Sequence, residues 1–179
     1  VFNKCSSLTS VNLPNVTELG NSAFAESGLT SFDGSKLTKV GTFVFDGCAK
    51  LAAVTLNDKL TALNTAFFRN CTSLTTVTLP SALKALPDRL FEGSGITTVD
   101  IPDAVTAVPD GKQTSAKNPV TGSYDTVYQT VFADCLNLEE INLNKVNKIG
   151  KYAFVNTISL KSIDLTKVTN ISNYAFKGS

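Results

Sequence analysis

One stretch sets a pattern that the rest of the chain follows: Cys71-Thr-Ser-Leu74-Thr-Thr-Val77-Thr-Leu79-Pro80. It reads C-x-x-L-x-x-V-x-L-P. Close copies run through Cys5, Leu8, Val11, Leu13 and Pro14, through Cys48, Leu51, Val54 and Leu56, and through Cys135, Leu138, Ile141 and Leu143. A phenylalanine stands three residues before the Cys position of each unit, at Phe2, Phe24, Phe45, Phe68, Phe91, Phe132, Phe154 and Phe176. Successive anchors are 22, 21, 23, 23, 41, 22 and 22 residues apart. Self-similarity at this period means a stack of like units, because one short unit cannot bury its apolar face alone.

The remaining columns follow from the anchor. The Cys column continues as Ser27, Ser94, Thr157 and Ser179. Apolar columns fall at Val11, Phe32, Val54, Val77, Val99, Ile141 and Ile163, and two residues later at Leu13, Leu56, Leu79, Ile101, Leu143 and Leu165. Only Gly34 interrupts them. The V-x-L pair has period two, which predicts a strand with both apolar residues inward. The second half of each unit predicts another short extended or turn segment. The anchor step, as in Tyr152-Ala153-Phe154 and Tyr174-Ala175-Phe176, predicts one turn of helix. The expected fold is therefore α/β: a right-handed leucine-rich-repeat solenoid with a parallel concave sheet, short helical turns and a second row of short strands or turns. Six of the seven V-x-L strands are expected to stack in register, and the one carrying Gly34 to be irregular.

The period breaks once. Val108 and Phe132 are 24 residues apart, where the other units use five. The excess falls at about 110–129, a polar segment with Gly111, Pro119 and Gly122 that predicts a loop or small hairpin. The expectation is a single solenoid over residues 1–179, truncated at both ends inside a repeat, with this one insertion.

Composition narrows the chemistry. There are 16 basic and 15 acidic residues and no block of like charge, so nothing argues for a nucleic-acid partner. No apolar run approaches the ~18 residues of a membrane span. There is no His, which removes catalytic triads and most general-base schemes, and no phosphate-binding glycine loop is present. No catalytic residue is assigned, and neither metal nor cofactor is expected. The four cysteines share a column with Ser and Thr, so they are expected to be buried thiols rather than ligands or disulfides. Asn15, Asn70 and Asn170 begin glycosylation sequons, which chance explains in a chain this rich in Asn and Thr.

Two places could bind a protein. The outward positions of the V-x-L strands are mostly Ser, Thr and Asn, with Asp33, Asp100, Glu140 and Asp164 and with no basic or aromatic residue. That describes a mildly acidic recognition face, although Ser and Thr also simply suit a solvated sheet. The insertion offers Tyr124 and Tyr128 beside Lys112 and Lys117. Tyrosines on a loop give large contact area at low entropic cost. Tyr152 and Tyr174 share one repeated position and are expected to be structural.

Taken together, the columns resemble the BspA-like, or Treponema-type, class of leucine-rich-repeat proteins. Its unit is similar to a-F-x-x-C-x-x-L-x-x-I-x-L-P-x-x-[LV]-x-x-I-g. Ala175-Phe176, Cys71, Leu74, Val77, Leu79-Pro80, Leu83, Leu86 and Ile149-Gly150 match it. Ser27-Gly28 and Ser94-Gly95 depart from it, with one residue missing before the next Leu or Ile. The resemblance implies a non-enzymatic adhesion-type module of a cell-surface or secreted protein that binds a host or cell-surface protein. The alternative is a spacer that presents other domains.

Overall fold

The computed structural model describes residues 1–179. Its strands are β1 (Glu18–Leu19), β2 (Ser31–Gly34), β3 (Lys39–Val40), β4 (Ala53–Leu56), β5 (Thr98–Asp100) and β6 (Ala107–Val108). They continue with β7 (Lys112–Lys117), β8 (Tyr124–Gln129), β9 (Glu140–Asn142), β10 (Lys148–Ile149), β11 (Ser162–Ile163) and β12 (Asn170–Ile171). The V-x-L segments make a first row, with β2 beside β4, and β9 between β5 and β11. The second half of each unit makes another row, with β1 beside β3, and β10 between β6 and β12. All these pairs are parallel, and each column pairs with itself one unit later, as in Phe32↔Val54 and Val99↔Ile141. Between the two first-row sheets, the unit holding Val77 and Leu79 forms no strand, so the ladder is split.

The expected helical turns are absent: the structure contains no helix, and the α/β assignment is corrected to strands and turns alone. The backbone explains why. Around six of the eight anchors, the residues two before and two after Phe take left-handed φ, as at Ser22 (52°) and Glu26 (55°), Ala66 (55°) and Asn70 (56°), and Tyr152 (58°) and Asn156 (60°). A right-handed helix needs consecutive negative φ. The amides here turn instead to the next unit: Ser22, Phe24 and Glu26 donate to the carbonyls of Thr42, Val44 and Asp46. Ala66, Phe68 and Asn70 donate likewise to Asp88, Leu90 and Glu92. The N–H groups that a helix would bond four residues back hold the stack together. No helix in the chain is long and apolar enough to cross a membrane.

The anchor rings stack from one end to the other. Neighbouring centroids are 5.4 Å apart at Phe2–Phe24, 5.9 Å at Phe45–Phe68 and at Phe68–Phe91, and 5.2 Å at Phe154–Phe176, with planes within 9° of parallel. The insertion leaves the stack intact, since Phe91 and Phe132 still lie 5.8 Å apart. Each such pair is worth roughly 0.5–1.5 kcal/mol beyond its burial.

Gly34 does not disturb its strand. It is in register with Leu56 in the regular pair β2–β4. Its neighbour in the pattern is Phe32 rather than Val, and that ring packs on Phe24 and Phe45. A Cβ on Gly34 would stand 2.9 Å from Leu37 Cδ1 and 3.3 Å from Phe32 Cε1, so ring and leucine take the space a Leu would fill. The shortened units have a different cause. A Cβ on Gly28 would lie 2.1 Å from the carbonyl oxygen of Ser6, and one on Gly95 equally close to that of Thr72. Dropping one residue brings the backbones into this contact, and the Gly28 and Gly95 amides donate to Cys5 and Cys71, each at 3.1 Å.

The cysteines are free. Cys48, Cys71 and Cys135 are buried, and their thiols donate to the anchor carbonyls of the preceding unit, Phe24, Phe45 and Phe91, at 3.0–3.1 Å. Cys5, expected to be buried, is half-buried, because its unit has a neighbour on one side only. Burial raises the pKa of Cys48 and of Cys71, and pushes Cys135 up to about 12.

The insertion is an antiparallel hairpin, with Lys112 opposite Gln129 and Lys117 opposite Tyr124. Its turn is closed by Asn118, whose Oδ1 accepts the amides of Val120 and Thr121 at 2.9 and 3.1 Å. Gly122 supplies a φ of 72°.

Two outcomes test this packing. Phe68→Ala, in the middle of the stack, should cost about 3–5 kcal/mol in denaturant unfolding. Phe2→Ala, stacked on one side only, should cost clearly less, and equal losses would contradict the end-to-end stack. A thiol-reactive reagent should label native protein at Cys5 alone and unfolded protein at all four cysteines. Rapid native labelling of Cys71 or Cys135 would show that these thiols do not sit in the carbonyl column.

Candidate binding surface

The outward side chains of the first row form two lines. Thr98 pairs with Glu140, and Glu140 with Ser162, so these three stand side by side. Asp100 pairs with Asn142 in the second line, and Asp164 is next along it. Alternation puts Val99, Ile141 and Ile163 between the lines and onto the core. The outward residues are short, so the face stays uncovered. A groove of ≈ 880 Å³ opens over it, from Thr76 and Thr78 across to Ser162 and Asp164.

The charge in this groove is set by the strand ends. Asp164 Oδ1 accepts the Thr166 amide at 2.8 Å, and this bond holds the carboxyl below the usual carboxylate range, helped by Lys167. Asp33 is lowered in the same way by the Ser35 amide at 3.0 Å. Asn142 accepts from the Asn144 amide at 3.1 Å. These are turns in which an Asp or Asn side chain takes the N–H two residues on. Asp100 breaks the rule because that residue is Pro102, which has no N–H. Neither Asp100 nor Glu140 makes an ion pair, whereas Glu139, pointing away, pairs with Lys161 at 2.6 Å. Cations stand at one end only, where a smaller hollow of ≈ 280 Å³ includes Lys145 and Lys167. There Lys145 holds Asp103 at 3.1 Å.

The structure gathers Asp100, Glu140 and Asp164 into the groove and leaves out Asp33, which belongs to the other sheet. Nor does it bring the hairpin there, since no residue of 111–129 lines the groove. Tyr124 is 72% exposed and Tyr128 only 8%. Tyr128 is therefore corrected from a free contact residue to a fixing one. Its ring lies 4.9 Å from that of Tyr152, which stacks on Tyr174 at 5.6 Å. The Tyr128 hydroxyl accepts from Lys177 Nζ at 2.6 Å, which raises the pKa of that lysine. Tyr152 in turn donates to Gln113 Oε1 at 2.8 Å. Both hairpin strands are thus tied to the anchor-turn side of the stack. Lys112 and Lys117 stay exposed on β7.

Asp100 and Glu140 lie diagonally across adjacent strands, a separation of roughly 7–8 Å. Both face open solvent beside the short side chains of Thr98, Asn142 and Ser162. The arrangement can hold a ligand by hydrogen bonds and charge.

The sequence matches the BspA-type leucine-rich-repeat region in six copies, over residues 1–118 and 112–179. No curated protein matches the chain. Among solved structures, a leucine-rich-repeat protein from Bacteroides ovatus shares 19% identity and a TM-score of 0.57, covering 99% of this chain. This chain spans 54% of that protein. The T. pallidum leucine-rich-repeat protein shares 21% identity and a TM-score of 0.58, over 82% of this chain and 72% of its own. At such identities the likeness speaks for the fold, and the repeat match speaks for the family. With its anchors, cysteine column and paired strand rows inside the matched residues, the chain belongs to the BspA-type leucine-rich-repeat family.

Proposed function

We propose that this chain is a non-enzymatic, adhesion-type interaction module of a cell-surface or secreted protein, and that it meets its protein partner on the strand-face groove. The observation that supports this most is the uncovered groove itself. Four consecutive units present short polar side chains over an open volume of ≈ 880 Å³ that no other part of the chain fills. A stack held rigid by its backbone ladder offers such a surface with little ordering cost. The surface location is supported by the family resemblance. Tyr124, Lys112 and Lys117 on the hairpin form a second, separate contact candidate, and a partner large enough to reach both would bridge two sides of the stack.

The test is retention of proteins from a host-cell surface extract on the immobilised chain. Thr98→Trp places a bulky ring in the groove at an exposed strand position that tolerates it. With an unchanged melting temperature, it should abolish retention of the proteins that the unaltered chain holds. Tyr124→Ala should leave most of that retention. Retention unaffected by Thr98→Trp would remove the groove from the contact surface. No retention by the unaltered chain would favour the spacer.

A further inference from the structure

We propose that the groove takes an extended, cationic segment of the partner, with basic side chains set against Asp100 and Glu140. This rests on the groove being the contact surface, as above, and adds the chemistry of what enters it.

Three observations carry the inference. The first is charge complementarity. The other strand-end carboxylates are already engaged, Asp33 by the Ser35 amide and Asp164 by the Thr166 amide. Asp100 is left open by Pro102, and Glu140 forms no ion pair, since the nearby Lys161 is held by Glu139. Asp100, Glu140 and Asp164, none of them in an ion pair, thus face a surface lined by no lysine or arginine. The second is shape. The groove crosses four units, and at a strand spacing of ~4.8 Å this is a width of about 14 Å, the reach of roughly four extended residues. The third is what the walls offer. Hydroxyl and amide groups from Thr, Ser and Asn suit the backbone of an extended chain. No aromatic ring is present for a sugar or a base to stack on. Direction follows as well: Lys145 and Lys167 occupy one end, so the cationic residues sit at the Asp100–Glu140 part and not there.

The experiment uses the whole chain and fluorescent eight-residue peptides, one with alternating Arg and Ser, one with Gln in place of Arg, and one with Glu. The Arg peptide should bind and weaken with added salt, while the Gln and Glu peptides should not bind. Asp100→Asn with Glu140→Gln should reduce that affinity about five- to tenfold, the effect expected for two exposed charge pairs. Glu18→Gln with Glu26→Gln, both exposed and away from the groove, changes net charge equally and should leave affinity unchanged. A loss of the same size in this control pair, or no binding of the Arg peptide, would overturn the inference. In the surface-extract assay, loss with Thr98→Trp but full retention with Asp100→Asn and Glu140→Gln would also overturn it and leave the groove as the contact surface. Retention insensitive to Thr98→Trp would instead remove the reading on which it rests.

Discussion

Everything in this molecule depends on the anchor turn, where the backbone amides are directed along the stack and not along the chain. Left-handed residues on both sides of six of the eight phenylalanines rotate alternate peptide groups outward, so that Phe24 donates to Val44 and Phe45 to Phe67. The same geometry puts one ring directly over the next at 5.1–5.9 Å along the whole row. A single unit gains neither the ladder nor the stack, and so has no means of offsetting the entropy of ordering its turn. The thiols belong to this device too. They bond anchor carbonyls of the preceding unit, and Ser179 does the same to Phe154, whereas Thr157 bonds its own anchor carbonyl and Ser27 and Ser94 lie against the next cysteine sulfur.

That dependence also explains how the chain carries a hairpin without losing its stack. The insertion leaves after Val108 and returns before Val131, and the Phe91 and Gly93 amides still find the Val131 and Ala133 carbonyls at 2.9 and 2.8 Å. Thr130 shows the local cost. It occupies the position two before the anchor, yet lacks the left-handed φ of its counterparts, and its buried hydroxyl has no hydrogen-bond partner. Tyr128, two residues earlier, supplies the ring that continues the line of Tyr152 and Tyr174.

The core was legible in the sequence because burial repeats with the period. Leu29, Leu51, Leu74, Ile96 and Leu138, one column, are all fully buried. The turn was not, because Tyr-Ala-Phe has ordinary helix formers and propensity does not see amides pulled into a neighbour. A signal was present: two residues after six of the eight anchors stand Gly47, Asn70, Gly93, Asp134, Asn156 and Gly178, types that tolerate left-handed φ, while Lys4 and Glu26 fill the other two. The position two before carries Phe43, Ala66, Arg89 and Tyr152, which give no such sign. At the site, alternation placed Asp100, Glu140 and Asp164 outward correctly. It could not separate Asp33 from them, because the split between the sheets falls at a unit whose sequence fits the pattern best. Tyr128 was misjudged because a tyrosine on an insertion looks the same in sequence whether its ring is free or docked.

The groove's character turns on few residues. Its walls are the same Thr, Ser and Asn that any solvated strand face would use, and they give no sign of selection for a ligand. What distinguishes Asp100 is a carboxylate at the strand end with no donor two residues on. Where Asp33, Asn142 or Asp164 stands at the strand end, its side chain is consumed by the amide two residues on, which closes the turn and spends an acceptor. Pro102 closes its turn through its fixed φ and needs no such bond, with Val105 donating to the Pro102 carbonyl at 2.9 Å. The carboxylate of Asp100 is thereby released from a structural role. A charge freed in this way, one unit from Glu140 and away from the lysines at the groove's end, is available to a partner at no loss to the turn beneath it.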